Sequence, residues 1–73
     1  MNYYIIAEPH RDGFGNFKMG TVRQLPNGKW IWHGAAFGRS SHASGRKQFD
    51  FAEQAQRAAA RTLGKVRFEE ILE

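Results

Sequence analysis

The sequence contains no cysteine and only two prolines. Without cysteine, neither a disulfide framework nor a thiolate metal site can form, so the composition is not that of a small secreted protein. The chain also lacks an apolar run of about 18 residues, which a membrane-spanning helix would need. Its apolar start is not preceded by the basic segment of a secretion signal. We therefore expect a cytoplasmic protein without membrane contact.

The composition that remains is ordinary for a globular protein, with 41% hydrophobic and 25% charged residues among 73. A chain of this length can build one small core, so we expect a single domain over residues 1–64 and a tail over residues 65–73. Lysine and arginine number 11 against seven acidic residues, a net charge of +4. The excess lies in the body, because the tail is mildly acidic. Such a body attracts polyanions, either nucleic acid or an acidic protein surface.

Two segments carry strand signals. Residues 2–8 are rich in β-branched and aromatic side chains, and Pro9 ends the run because it has no N–H to donate. Further along, Asn27 and Gly28 separate two apolar-containing runs, which is typical of a type I′ hairpin turn. A turn centred on that pair sets the register of the hairpin and places Val22 opposite His33.

This register sorts the hairpin side chains onto two faces. We expect the face with Trp30 and Trp32 to lie inward, since so small a domain needs the apolar area of both indoles. An exposed platform on which bases stack is the alternative. Small residues on the same face would let a helix approach closely. The predicted inward face comprises Phe17, Met19, Thr21, Arg23, Leu25, Trp30, Trp32, Gly34 and Ala36.

The second half of the chain predicts a loop and then a helix. Residues 38–48 combine glycine, serine and fixed positive charges with no apolar periodicity, which is typical of a mobile basic loop. Asp50 follows as a helix N-cap, and Glu53 completes a capping-box-like pair and places negative charge near the helix N-terminus. Apolar residues recur at helical spacing up to Leu63, and Gly64 is a typical residue to end the helix.

Together these segments predict an α+β fold in which a three-stranded antiparallel sheet is followed by one C-terminal helix, in the order β-β-β-α. The last segment, residues 66–73, is compatible with a short fourth strand, a helical extension or a flexible tail that orders on a partner. The sequence does not choose among the three.

Residue types that carry enzymatic chemistry are present without the spacing that the chemistry needs. His10, His33 and His42 show no ligand spacing, so we predict no metal site. Ser40 and Asp50 could be combined with His42 as nucleophile and base, but no strand-to-helix elbow positions them. So short a chain also has little material for a water-excluding cleft. We expect neither an enzyme nor a bound cofactor.

Binding chemistry is better represented. In the 38–48 loop, glycine and serine let the main chain approach a polyanion, while guanidinium groups bind phosphate or carboxylate in a bidentate manner. Ordinary solvated loop charge is the alternative. Further basic residues lie on the helix, and two hairpin residues share the predicted outward face. The predicted partner-binding residues are Arg11, Arg23, His33, Phe37, Arg39, Arg46, Lys47, Arg57 and Arg61.

Two resemblances give these residues a context. The order of strands, basic loop and helix over residues 17–64 resembles, in topology, small DNA-binding modules such as the arm-binding domains of phage-type integrases, whose sheet enters the major groove. The short, basic, cysteine-free chain with its Tyr-Ile-Ile opening strand is also similar to the host-takeover regulators of bacteriophages. Among these it looks most like the Xanthomonas phage type that binds host RNA polymerase, inhibits initiation and permits read-through of terminators.

The phage resemblance implies a non-enzymatic, monomeric regulator in the host cytoplasm. Its basic residues 1–64 would bind an acidic surface of bacterial RNA polymerase. The integrase resemblance implies direct DNA binding through the sheet and the basic loop. We rank binding to polymerase or another protein first and direct DNA binding second.

Overall fold

The computed structural model describes residues 1–9, 15–35, 41–43 and 47–72. Its elements are strands β1 (Asn2–Ala7), β2 (Lys18–Gln24), β3 (Trp30–Ala35) and β4 (Ser41–Ala43), helix α1 (Ala52–Leu63) and strand β5 (Val66–Glu70). In this part of the chain, five strands form one antiparallel sheet in the order β4-β3-β2-β1-β5, and α1 packs on one face of it. The predicted α+β fold with an antiparallel sheet and one helix is confirmed.

Two strands extend the predicted three-stranded sheet. β5 takes the strand option for the C-terminal segment and pairs with β1 from Tyr3 opposite Glu70 to Ala7 opposite Val66. β4 corrects the loop prediction, because residues 41–43 pair with the edge of β3. A Ser-His-Ala strand has no apolar alternation that could reveal it, and its pairing satisfies main-chain groups at that edge. Of the other loop residues, 38–40 and 44–46 lie outside the described residues, and 47–48 belong to neither helix nor strand.

The hairpin between β2 and β3 turns where predicted but with a different turn type. The N–H of Gly28 donates to Leu25 O at 2.9 Å and the N–H of Leu25 donates to Lys29 O at 2.7 Å, which closes a three-residue loop. Gly28 has a φ of 86°, whereas Asn27 is not in the positive-φ region that a type I′ turn requires. Pro26 favours this loop, because its fixed φ suits the first central position of a type I turn.

The three-residue loop shifts the register by one residue from the prediction, so that Val22 faces Trp32. A shift of one moves a paired side chain to the other face of the sheet. The predicted inward face was right for both tryptophans, which are buried, and for Met19, which packs against the core beside an irregularity in the pairing of β1 with β2. It was wrong for Thr21 and Arg23. Val22 is 0% exposed, whereas Arg23, predicted inward, is exposed.

The helix covers the face that carries the tryptophans. Gly34 lies under its C-terminal end, where a Cβ would come within 2.9 Å of Leu63 Cδ1, so the close helix approach predicted for this residue is confirmed. Gly20, opposite Gly34, instead lets β2 and β3 approach each other, because a Cβ there would overlap the carbonyl oxygen of His33. The core cluster comprises Ile5, Val22, Trp30, Trp32, Ala55 and Ala59.

The helix begins later than predicted. Phe51, rather than Asp50, is the N-cap residue, and its side chain has no oxygen with which to accept an N–H. Gln54 reaches back instead, and its Oε1 accepts from the N–H of Asp50 at 3.1 Å and of Phe51 at 3.3 Å. Gln54 thus takes the capping role predicted for Glu53, which still places its charge in the first turn. The predicted end at Gly64 is confirmed by its φ of 93°.

Candidate binding surfaces

The first candidate surface is a groove between one stripe of α1 and the segment 47–50 that precedes the helix. Its helix wall is formed by residues at i, i+3, i+4 and i+7 spacing, which lie on one side of a helix. The groove is open to solvent and has a volume of about 370 Å³. We call it the helix groove, and it is lined by Lys47, Gln48, Phe49, Asp50, Gln54, Arg57, Ala58 and Arg61.

The segment 47–50 is tied to the hairpin. Phe49 forms an isolated bridge with Trp30, in which the N–H of Trp30 donates at 2.7 Å and the N–H of Phe49 donates back at 2.9 Å. Asp50 forms an ion pair with Lys29, which follows the turn. The main chain along the groove is therefore held by the same strand whose tryptophans form the core. A ligand in the groove would meet a preformed wall.

The charge of the helix groove is positive. Lys47, Arg57 and Arg61 are all exposed, and among the described residues no acidic side chain lies within ion-pair distance of them. Arg57 and Arg61 stand four residues apart, a like-charge spacing that costs a helix about 0.2–0.5 kcal/mol. Asp50 is already paired with Lys29. Lys47 lies over the ring of Phe49, with Nζ 5.4 Å from the ring centroid. None of the three cations is neutralised by an acidic side chain of the described residues, so their charges are available to carboxylate or phosphate.

The second candidate surface is the sheet face opposite the helix. Register places on it the residues that alternate with the core positions of β1, β2, β3 and β5. Lys18 joins them because the pairing of β1 with β2 is irregular between Ile5 and Ile6. Lys18 lies over the ring of Tyr4, with Nζ 3.9 Å from the ring centroid. Arg67 contacts Glu69 at 3.6 Å and donates to Asn16 Oδ1 at 2.8 Å. We call this surface the far face; it includes Tyr4, Lys18, Thr21, Arg23, Ile31, His33, Arg67 and Glu69.

The predicted binding residues divide between these two surfaces. Lys47, Arg57 and Arg61 line the helix groove. Arg23 and His33 are exposed on the far face, on the other side of the sheet. The structure therefore brings together the first three and separates them from the other two. The remaining predicted residues lie outside the described residues: Arg11, Phe37, Arg39 and Arg46.

Sequence reasoning missed several residues of these surfaces. Gln54 belongs to the helix groove because it stands three residues before Arg57, a spacing that was visible in the sequence. Lys18 was not among the predicted binding residues, and its position over Tyr4 depends on how β1 pairs with β2. Arg67 reaches the far face only because β5 joins the sheet, which the sequence left open.

Comparison with known proteins adds no relative. No protein-family model matches the sequence, no curated protein is significantly similar to it, and no solved structure matches its fold. Within the described ranges, no three histidine or acidic side chains come together as metal ligands would. Nor does any helix in these ranges have the length and apolar character needed to cross a membrane.

Proposed function

We propose that this chain is a non-catalytic binding module whose helix groove holds an acidic surface of a protein partner, with bacterial RNA polymerase as the first candidate. The observation that carries the proposal is the set of exposed cations in the groove that have no acidic partner among the described residues, Lys47, Arg57 and Arg61. The choice of polymerase rests on the similarity of the sequence to phage takeover regulators. A regulator of this kind would act by occupying a surface and would need no catalysis.

The mixed chemistry of the groove supports a protein partner. Beside its cations lie the amides of Gln48 and Gln54 and the partly buried ring of Phe49, and protein interfaces combine arginine and aromatic residues in this way. A stacking platform for bases would require exposed aromatic rings, and Trp30 and Trp32 are buried at 8% and 4% exposure. This removes the exposed-tryptophan alternative raised by the sequence.

The test compares two variants that lose the same net charge from different surfaces. Arg57→Gln with Arg61→Gln removes two charges from the helix groove, and glutamine keeps a good helix propensity. Lys18→Gln with Arg23→Gln removes two from the far face. Affinity for purified bacterial RNA polymerase, measured by biolayer interferometry, should fall at least about tenfold for the groove variant, since two charge-assisted contacts are lost. The far-face variant should bind like the unaltered chain.

A capture from nuclease-treated bacterial lysate complements this measurement. Retention of a protein partner by the unaltered chain, and its loss by the groove variant, would support the proposal. Equal binding by both variants would show that the helix groove is not the contact surface. Loss of every partner after nuclease treatment would overturn protein binding as the function.

Direct DNA binding is the second candidate, and the far face is the observation that favours it. Lys18, Arg23 and His33 are exposed on neighbouring strands of one sheet face. Binding to duplex DNA through this face should weaken steeply with salt, with a log-log slope of about −0.9 for each phosphate contacted. The same two variants decide the matter, because Lys18→Gln with Arg23→Gln should then reduce both affinity and slope while the groove variant should not.

A further inference from the structure

The outer edge of β5 offers a row of main-chain groups for pairing. β5 is the last strand of the sheet, beside β1. The N–H of Ile71 donates to Asn2 O at 2.8 Å and the N–H of Glu8 donates to Lys65 O at 3.2 Å, so the odd-numbered β5 residues point their main-chain groups toward β1. Because these groups alternate along a strand, those of Val66, Phe68 and Glu70 point outward.

This edge lacks the main-chain features that block strand addition, although three of its five residues are charged. Proteins protect an edge with proline, with a bulge, by covering it or with charged side chains. β5 contains no proline, and its register with β1 is continuous over all five residues. In the part of the chain that is described, no element pairs with its outer side. Its charges also alternate in sign along the far face, with Arg67 and Glu69 on either side of Phe68.

We propose that β5 pairs with β5 of a second copy of this chain, antiparallel and centred on Phe68, so that the two sheets become one. In this register Phe68 lies opposite Phe68 of the second copy, and Val66 lies opposite Glu70. These are the residues whose main-chain groups point outward, so about six hydrogen bonds form across the pair. The same register brings Arg67 opposite Glu69 of the second copy, twice, at the positions where side chains come closest.

Other registers are opposed by charge. A pair centred on residue 67 would place Arg67 opposite Arg67 of the second copy. A pair centred on residue 69 would place Glu69 opposite Glu69 of the second copy. A pair centred on Val66 would place Lys65 opposite Arg67 of the second copy. A pair centred on Glu70 would place the two Glu70 carboxylates opposite each other. Like charges directly opposite each other destabilise a strand pair, whereas opposite charges contribute about 0.2–1 kcal/mol. The strand sequence is thus self-complementary in the Phe68-centred register.

Packing on the covered face favours the same arrangement. α1 lies mainly over β3 and β2, and β5 is at the margin of the core, where Val66 and Phe68 are only partly buried. Pairing would bring two Phe68 rings together across the two-fold axis, and aromatic cross-strand pairs are among the stabilising ones. The helix groove of each copy stays accessible, so the dimer would present two basic grooves. The proposed dimer differs from the monomer that the phage resemblance implies.

The interface is small, because one strand edge buries less than the roughly 1,200 Å² of a stable complex. We therefore expect a dimer that forms and dissociates with concentration, seen by sedimentation equilibrium as a mass that rises from 8.4 kDa toward twice that value. Compared with the unaltered chain, Glu70→Pro should raise the dissociation constant of the dimer at least about tenfold. Its proline removes an N–H from the outer edge and leaves the hydrogen bonds with β1 in place.

Charge reversal tests the register. Arg67→Glu and Glu69→Arg should each weaken dimerisation about tenfold, because each places like charges opposite each other, and the double variant should restore it. Circular dichroism of each variant separates dimer loss from unfolding. A chain that stays monomeric up to millimolar concentration would overturn the proposal. So would single variants that dimerise like the unaltered chain, or a double variant that fails to recover while remaining folded.

Discussion

The covered face and the far face of the sheet are built from alternate residues of the same strands, yet they carry different chemistry. On β3, Trp32 is 4% exposed and its neighbour His33 is exposed. On β2, Val22 is fully buried and Arg23 is exposed. On these two strands the covered face supplies the core and the far face supplies charge, whereas on β1 the far-face residue Ile6, opposite Arg67, is also buried. Substitutions one residue apart should separate stability from binding.

The largest difference is expected on β3. Trp32→Ala should lower the free energy of unfolding by about 3–5 kcal/mol, because it removes a buried indole from the centre of the core. A domain of this length has a stability of only about 4–11 kcal/mol in total, so the variant should lose a large fraction of it. Urea denaturation followed by circular dichroism would measure the change.

His33→Ala is the matched control, one residue along the same strand. The exposed imidazole should change the free energy of unfolding by no more than about 0.5 kcal/mol. A large loss in the histidine variant, or a small one in the tryptophan variant, would mean that the two faces are not divided as described.

A second pair of variants tests the register of β2. Val22→Ala should cost about 2 kcal/mol, since two methyl-sized groups leave a fully buried site and a small cavity remains. Thr21→Ala should cost clearly less, because Thr21 is only partly buried on the far face. Thermal unfolding would show the difference as a fall in Tm of about 8–16 °C for the valine variant. The register expected from the sequence gives the reverse order, so equal or inverted effects would contradict the observed pairing.

The sequence was informative where the signal is local. The first strand, the helix with its end at Gly64 and the burial of both tryptophans all follow from propensity, periodicity and apolar content. It was misleading where one turn decides a whole face: Asn27-Gly28 indicates a type I′ turn, and Pro26 before it favours a three-residue loop instead. The sequence could not reveal β4 or decide that the last segment forms β5. Each of these strands forms by pairing with the edge of a strand elsewhere in the chain, β3 for β4 and β1 for β5. For the candidate surfaces, helical spacing was enough to place Arg57 and Arg61 on one side of the helix. That Lys18 and Arg67 lie on the same face could be known only from the pairing of the strands.

The smallest expected effect concerns the contact between Lys18 and Tyr4 on the far face. Tyr4 is partly buried, and a cation above an aromatic ring near the surface contributes about 0.5–1 kcal/mol. A double-mutant cycle with Lys18→Ala and Tyr4→Leu should therefore give a coupling of about that size, measured by urea denaturation. Arg23→Ala with Tyr4→Leu, on the same face, serves as the control and should give no coupling. A coupling as large as the loss in Val22→Ala would mean that the far face helps to hold the fold together. Its cations would then be less available to a partner, and the division between the two faces would fail.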